Sequence, residues 1–225
     1  MNEKKKTVQG NQDEKEKSRQ LTPAEQRRLR AFEALSETMG AKGYRRVELT
    51  VGIVKANVFA VVLLIPLLIV GIGLFLLKNG GIGRGFVGMN PILLLALLAL
   101  LFALIVIHEL IHGLSWAIFA EHHWKDIEFG FMKQYLTPYC TCGVPLSKGQ
   151  YIFGALMPLV LLGLLPMLAG ILTGSMQTLL MGIIMADAAA GDILIVWKIL
   201  RYRSGAENIV YIDHPTQAGG VIFEK

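Results

Sequence analysis

Cysteine is scarce in this chain: only Cys140 and Cys142 occur among its 225 residues. Both fall in a segment that we infer below to face the cytoplasm, where thiols stay reduced, so no disulfide is expected between them. A single Cys-x-Cys pair is at most half of a metal site. We interpret the two cysteines as small residues in a turn.

Charge is also scarce, at 17% of residues, whereas 53% are hydrophobic and the mean hydropathy is +0.51. This composition excludes an ordinary soluble domain and indicates an integral membrane protein. A hydrocarbon core about 30 Å thick needs about 20 helical residues. Four stretches meet that length, and they run from Ala56 to Leu77, Pro91 to Ala120, Tyr151 to Thr173 and Met176 to Trp197.

A cleavable signal peptide is not expected, because the first 50 residues are polar and charged. Thirteen Lys and Arg residues lie in segment 1–55, against two in the loop 78–90. The positive-inside rule then predicts that both termini are cytoplasmic, which agrees with an even number of spans. The net charge of +5 is interpreted as topology and contact with anionic lipid, and no nucleic acid partner is expected.

The charged N-terminal segment and the predicted spans divide the chain into three regions. Residues 1–50 form a cytoplasmic extension, disordered over 1–20 and helical near 22–39, where Thr22-Pro23-Ala24-Glu25 predicts a capping box. Residues 51–200 form the four-span domain, and residues 201–225 form a cytoplasmic tail resembling two short strands around a turn. The expected fold is all-α in the membrane, with a structured cytoplasmic loop in which short β-strands are possible.

The strongest chemical signal is His108-Glu109-Leu110-Ile111-His112, inside the second apolar stretch. Two His residues four apart share one helix face and can bind one zinc ion. The intervening Glu109 is then placed as the general base for a zinc-activated water. Glycines in the loop 79–90 lack a following Gly-Lys-Ser/Thr, so they do not predict a phosphate loop.

Lys and Arg are absent from the four predicted spans, yet these spans contain Glu109, Asp187 and Asp192. Ionisable groups in a span are costly and usually functional, and zinc would compensate part of this charge. Asp187 and Asp192 are about 140° apart around a helix, so they cannot both point straight at one ion. We favour Asp192 as third ligand because the small Gly191 allows close helix packing. Asp187 is then expected to hydrogen-bond a ligand or the substrate backbone, with the alternative that Asp187 is itself the third ligand.

Other candidate residues are weaker. His122 and His123 lie just past the second span and are expected to be interfacial, and His214 is expected in a turn. Residues 121–150 form a long loop beside the candidate site, and we expect a strand or a re-entrant hairpin in this loop to line it. Pro158 and Pro166 lie in the third span, where they could either simply kink the helix or open backbone carbonyls or space near the metal.

Several segments together resemble the bacterial membrane family named putative zincin peptidases, a domain of unknown function without a defined substrate. The resemblance covers about Val47 to Lys225. The matching stretches are HELIHGLSWAIF at 108–119, FGF at 129–131, TPYC at 137–140, LSKGQYIFGALMP at 146–158, AAGDILIVWKI at 189–199 and DHPT at 213–216.

The chain is more distantly similar to the site-2 group of intramembrane zinc proteases. That resemblance implies that His108, His112 and Asp192 bind zinc, that Glu109 is catalytic, and that the substrate is a membrane-anchored protein or peptide. It also implies a bacterial plasma membrane location. In the site-2 group Gly follows the Asp, whereas here Gly191 precedes Asp192.

The hypothesis is therefore an intramembrane zinc metalloprotease of the His-Glu-x-x-His type. Two other functions stay open: a non-proteolytic membrane scaffold or regulator, and a cation-coupled transporter that uses the intramembrane acids. A transporter is the less favoured alternative, because four spans are few for a transporter and the sequence shows no internal repeat. The sequence does not indicate an oligomeric state.

Overall fold

The computed structural model describes residues 21–81, 91–132 and 137–225. The segment predicted to be disordered, 1–20, and most of the glycine-rich loop lie outside these residues. The described chain is mostly helical with short strands. This makes the expected all-α class too narrow, because five strands form a three-stranded and a two-stranded sheet.

An amphipathic helix, α1, covers Pro23–Ala41 near the start of the described chain. The predicted capping box is confirmed: the Thr22 side chain accepts from the Glu25 N–H, and the Glu25 carboxylate accepts from the Thr22 N–H at 2.8 Å. These contacts satisfy N–H groups that the first helical turn leaves unpaired. Phe32 and Met39 of this helix are buried against the three-stranded sheet.

Three continuous helical segments are long and apolar enough to cross a membrane. The first two are α2, Ile53–Asn79, and α3, Pro91–Ala117. The third segment, Lys148–Thr173, consists of α4 (Lys148–Pro158), a π-helical turn (Leu159–Leu164) and α5 (Leu165–Thr173).

The fourth apolar stretch is broken. It forms α6, Met176–Ala188, and α7, Ala190–Arg201, with a bend of 49° between them. Small residues let α6 approach the third segment: a Cβ on Gly182 would lie 2.5 Å from the backbone N of Met167. Close backbone packing of this kind is typical of helices inside a membrane.

Strands β1 (Arg45–Thr50), β4 (Ile209–Asp213) and β5 (Gly219–Glu224) form the antiparallel sheet, with β5 in the centre. They include the two short strands that the sequence predicts in the tail, one on each side of a turn. In β1–β5 pairing Val47 lies opposite Ile222. The sheet therefore joins the segment before α2 to the segment after α7.

A second pair of strands, β2 (Ile127–Met132) and β3 (Thr137–Cys142), forms a hairpin after α3. It packs on α3 at Gly113, where a Cβ would lie 2.5 Å from the Phe129 ring and 3.2 Å from the Cys140 sulfur. The interpretation of Cys140 and Cys142 as turn residues is wrong, because both belong to β3. Both are free thiols.

Candidate metal centre and its cavity

Helix α3 places His108 and His112 one turn apart near its C-terminal end, and both are buried. Their Nε2 atoms are 3.1 Å apart and their ring centroids 4.8 Å apart. This arrangement follows from the spacing of four residues, which stacks the two side chains on one helix face. Both rings therefore direct a nitrogen to a common point.

Asp192, in the first turn of α7, completes the cluster. Its Oδ2 lies 3.2 Å from His108 Nε2 and 3.4 Å from His112 Nε2. A tetrahedral zinc site with bonds near 2.0–2.1 Å separates its ligand atoms by about 3.3 Å. The three atoms thus have the mutual spacing of one face of a zinc tetrahedron, and the donor set, two imidazoles and a carboxylate, is one that zinc accepts.

Hydrogen bonding sets the tautomer of one histidine. His112 Nδ1 lies 2.9 Å from the carbonyl oxygen of Gly154, to which it must donate a proton. The Nε2 of the neutral ring then carries the free lone pair that a metal requires. His108 Nδ1 is buried without a hydrogen-bond partner in the described part of the chain, so the polar contacts of this ring are made through its Nε2.

Glu109 lies beside the cluster and lines the same cavity as His112 and Asp192. Its carboxylate accepts a hydrogen bond from the backbone N–H of Cys140 on β3. The hairpin therefore holds Glu109 at the cavity wall, where a general base has access to a water molecule.

Asp187 lies elsewhere. Among the described residues, three potential metal ligands lie close together, and they are His108, His112 and Asp192. Asp187 does not belong to this cluster. It stands in the last turn of α6, before the bend, and its buried Oδ1 has no hydrogen-bond partner within the described ranges. The structure therefore does not bring the alternative ligand to the histidine pair.

The remaining histidines also lie apart from the cluster. His122 is exposed, and its Nδ1 is 3.2 Å from Asp126 Oδ1. His214 lies in the turn between β4 and β5, as predicted, where its Nδ1 accepts from the N–H groups of Thr216 and Gln217 at 3.2 and 3.0 Å. His214 nevertheless lines the cavity.

The cavity has a volume of about 170 Å³, and elements far apart in sequence build its walls. Arg28 of α1 contacts two other elements of the wall. Its guanidinium donates to Tyr139 Oη of β3 at 2.6 Å and to the Pro215 carbonyl of the β4–β5 turn at 3.2 Å. It also lies over the Tyr139 ring. Helix α1, strand β3 and the β4–β5 turn are thus linked across the cavity by one side chain.

Sequence reasoning missed Asp213, which it treated only as part of a turn. Its carboxylate accepts from the Tyr151 hydroxyl at 2.6 Å and from the Cys142 N–H at 2.8 Å. Burial raises the pKa of Asp213 to about 6. The Asp-His-Pro-Thr stretch was the sequence signal that could have identified Asp213. A polar cluster in an otherwise strand-forming tail breaks the local pattern, and such exceptions are typical of functional sites.

Comparison with known proteins agrees with this geometry. Residues 101–206 match the model of a family described as "Putative zincin peptidase". No curated protein and no solved structure matches the chain. The matched segment contains the three clustered candidate ligands and Glu109, and the family's description indicates a metallopeptidase that uses zinc. Helix α1 and the β4–β5 turn lie outside it.

Proposed function

We propose that this protein is an intramembrane zinc metallopeptidase that hydrolyses peptide bonds of membrane-associated substrates. The observation that carries the proposal is the convergence of His108, His112 and Asp192 next to Glu109 in one cavity. The helix that bears three of these residues is also long and apolar enough to span a bilayer. Hydrolysis at or within the membrane is the chemistry that accounts for both properties.

We further propose four membrane crossings. The Lys198 ammonium of α7 donates to the Thr50 carbonyl just before α2, so the start of the first helix and the end of the last are adjacent. At the opposite end of α2, Asn79 donates to the Ile171 carbonyl of α5 at 3.1 Å. The first contact puts the start of the first membrane helix and the end of the last on the same side of the membrane, which requires an even number of crossings. The bent α6–α7 pair supplies the fourth crossing.

Both termini are placed in the cytoplasm of a bacterial cell, with the protein in its plasma membrane. The thirteen basic residues of segment 1–55 support this orientation. The histidine pair lies near the C-terminal end of α3, on the same side of the helices as the sheet. Water would therefore enter the cavity from the cytoplasmic side.

In the proposed reaction the metal-binding residues and Glu109 have separate roles. His108, His112 and Asp192 would hold zinc, which lowers the pKa of a bound water and polarises a carbonyl. Glu109 takes a proton from the attacking water and later delivers it to the leaving amine. The Cys140 N–H keeps the Glu109 carboxylate directed into the cavity while this happens.

A substrate must be extended at the cleaved bond, because a helix holds its carbonyls in internal hydrogen bonds. The outer edge of β3 is our candidate for the strand that pairs with it. Pro138 has no N–H, and the N–H groups of Cys140 and Cys142 are engaged by Glu109 and Asp213. Pairing would thus use N–H donors of the substrate and carbonyl acceptors of β3.

The proposal can be tested without a known substrate. Bacterial membranes containing either the wild-type protein or Glu109→Gln are incubated with Zn²⁺, and newly formed peptide N-termini are identified by mass spectrometry. Zinc content is measured on both purified proteins. We expect zinc in both proteins and new N-termini only with wild type.

Two results would contradict the proposal in different ways. A folded wild-type protein without tightly bound zinc would remove the metal centre itself. Zinc in both proteins together with identical sets of N-termini would leave the metal centre but remove the peptidase activity.

A further inference from the structure

The carbonyl group of Gly154 is released from its own helix by a proline. In an α-helix this oxygen would accept from the backbone N–H of residue 158. That residue is Pro158, which has no N–H, and it is fully buried in the last position of α4. The Gly154 oxygen accepts instead from His112 Nδ1 at 2.9 Å.

The missing side chain of Gly154 matters as well. Trp116 lies on α3 one turn after His112, and its ring stacks on the imidazole with centroids 5.2 Å apart and planes 14° apart. The indole N–H donates to the Tyr151 carbonyl at 3.2 Å. A Cβ atom on Gly154 would collide with the indole ring of Trp116. Only glycine therefore allows this stack and this hydrogen bond together.

We infer that Gly154 and Pro158 are positioning residues for His112, and that the interruption of helical hydrogen bonding at Pro158 supplies one carbonyl acceptor to the imidazole. The inference rests on the zinc site proposed above. The acceptor fixes the imidazole with its lone pair at Nε2 and makes that nitrogen a stronger ligand. The stacked indole prevents the ring from turning away from Asp192.

The substitution Pro158→Ala isolates this effect. Alanine restores an N–H that competes for the Gly154 carbonyl, and it is a far better helix former than proline. If Pro158 had only a structural role, its replacement by alanine would change zinc affinity little. If Pro158 frees an acceptor for His112, the same replacement should weaken zinc binding. We expect zinc affinity to fall about 10-fold or more, the range typical of lost outer-shell partners of a metal-binding histidine.

The experiment measures Zn²⁺ affinity of the detergent-purified full chain by competition with a chromophoric chelator, and thermal unfolding of the zinc-free proteins. Pro166→Ala is the matched control, because this proline lies in the same membrane segment but after the π-helical turn, in the first turn of α5 and away from Gly154 in sequence. It should keep wild-type affinity. The visible spectrum of bound Co²⁺ should change in Pro158→Ala and stay unchanged in Pro166→Ala.

A second variant, Gly154→Ala, should also weaken zinc binding because the added methyl group displaces Trp116. Wild-type affinity in a folded Pro158→Ala protein would overturn the inference while leaving the zinc site intact. A wild-type protein that binds no zinc would instead overturn the proposed function, and the inference with it.

Discussion

Asp192 Oδ2 lies 3.2 Å from His108 Nε2, although 84 positions separate the two residues in sequence. Asp192 stands in the first turn of α7, directly after the bend between α6 and α7. Asp187 stands in the last turn of α6 and does not belong to the cluster. The two candidate carboxylates therefore lie on opposite sides of the break in the fourth apolar stretch.

The first prediction concerns that choice. Asp192→Ala should lose the zinc of the wild-type protein, about one ion per chain for a single tetrahedral site, whereas Asp187→Ala should retain it. Elemental analysis of the purified proteins measures this directly. Retention of zinc by Asp192→Ala with loss from Asp187→Ala would exchange the roles of the two residues.

The second prediction concerns Arg28, which links three walls of the cavity. Replacing it with Ala removes the hydrogen bonds to Tyr139 and Pro215 and should loosen α1. Burial raises the pKa of the Cys140 thiol well above its ordinary value, so its reaction with a maleimide is slow. In a Cys142→Ser background we expect Arg28→Ala to accelerate that reaction several-fold.

Arg30→Ala is the matched control for this measurement, because Arg30 belongs to the same helix and is exposed. It should leave the labelling rate of Cys140 unchanged. Equal rates in the Arg28 and Arg30 variants would show that Arg28 does not restrict access to the cavity.

The third prediction tests the contact between α5 and α6. A Cβ on Gly170 would overlap the backbone of Leu179, whereas a Cβ on Gly73 in α2 would meet nothing within 4 Å. Gly170→Ala should destabilise the protein by about 1–3 kcal/mol through overpacking. Gly73→Ala should be neutral or stabilising, since alanine favours a helix over glycine by about 1 kcal/mol. Thermal unfolding in detergent compares the two, and a stable Gly170→Ala would mean that the helices can separate at no cost.

The fourth prediction is a pH dependence of the β4–β5 turn. Burial lowers the pKa of His214 below its ordinary value of 6.5, and its Nδ1 accepts two backbone hydrogen bonds that a proton would break. The unfolded chain then binds this proton more readily than the folded chain, so stability is present above about pH 6.5 and is lost as the pH falls.

This dependence can be measured by thermal unfolding at pH 7.5 and at pH 5. In His214→Asn an amide oxygen can accept the same N–H groups without titrating. The unfolding temperature of wild type should fall more between the two pH values than that of the variant. Parallel decreases would assign the acid sensitivity to other groups.

The sequence predicted those parts of the site that depend on local geometry. The histidine pair, Glu109 and the capping box at Thr22 follow from spacings of three or four residues, and helical periodicity alone brings such residues together. The two short strands of the tail, one on each side of a turn, were also predicted.

The parts that depend on distant contacts were not predictable in the same way. Asp192 was preferred because Gly191 would allow close packing, yet a Cβ on Gly191 would meet nothing within 4 Å. The reason was wrong although the structure places that residue beside the histidines. The consequence of Pro158 was equally hidden, since the sequence shows that a carbonyl is released but not which side chain donates to it.

The order of the three-stranded sheet has a consequence for biosynthesis. Its central strand, β5, is translated after every membrane helix, and β1 and β4 pair with it on either side. While the ribosome is still producing the helices, β1 has no strand to pair with. The turn that follows β4 is also missing at this stage, so one wall of the cavity has not yet been made. A nascent chain can thus insert the described membrane helices before the cavity is enclosed, which separates membrane insertion in time from completion of the cavity.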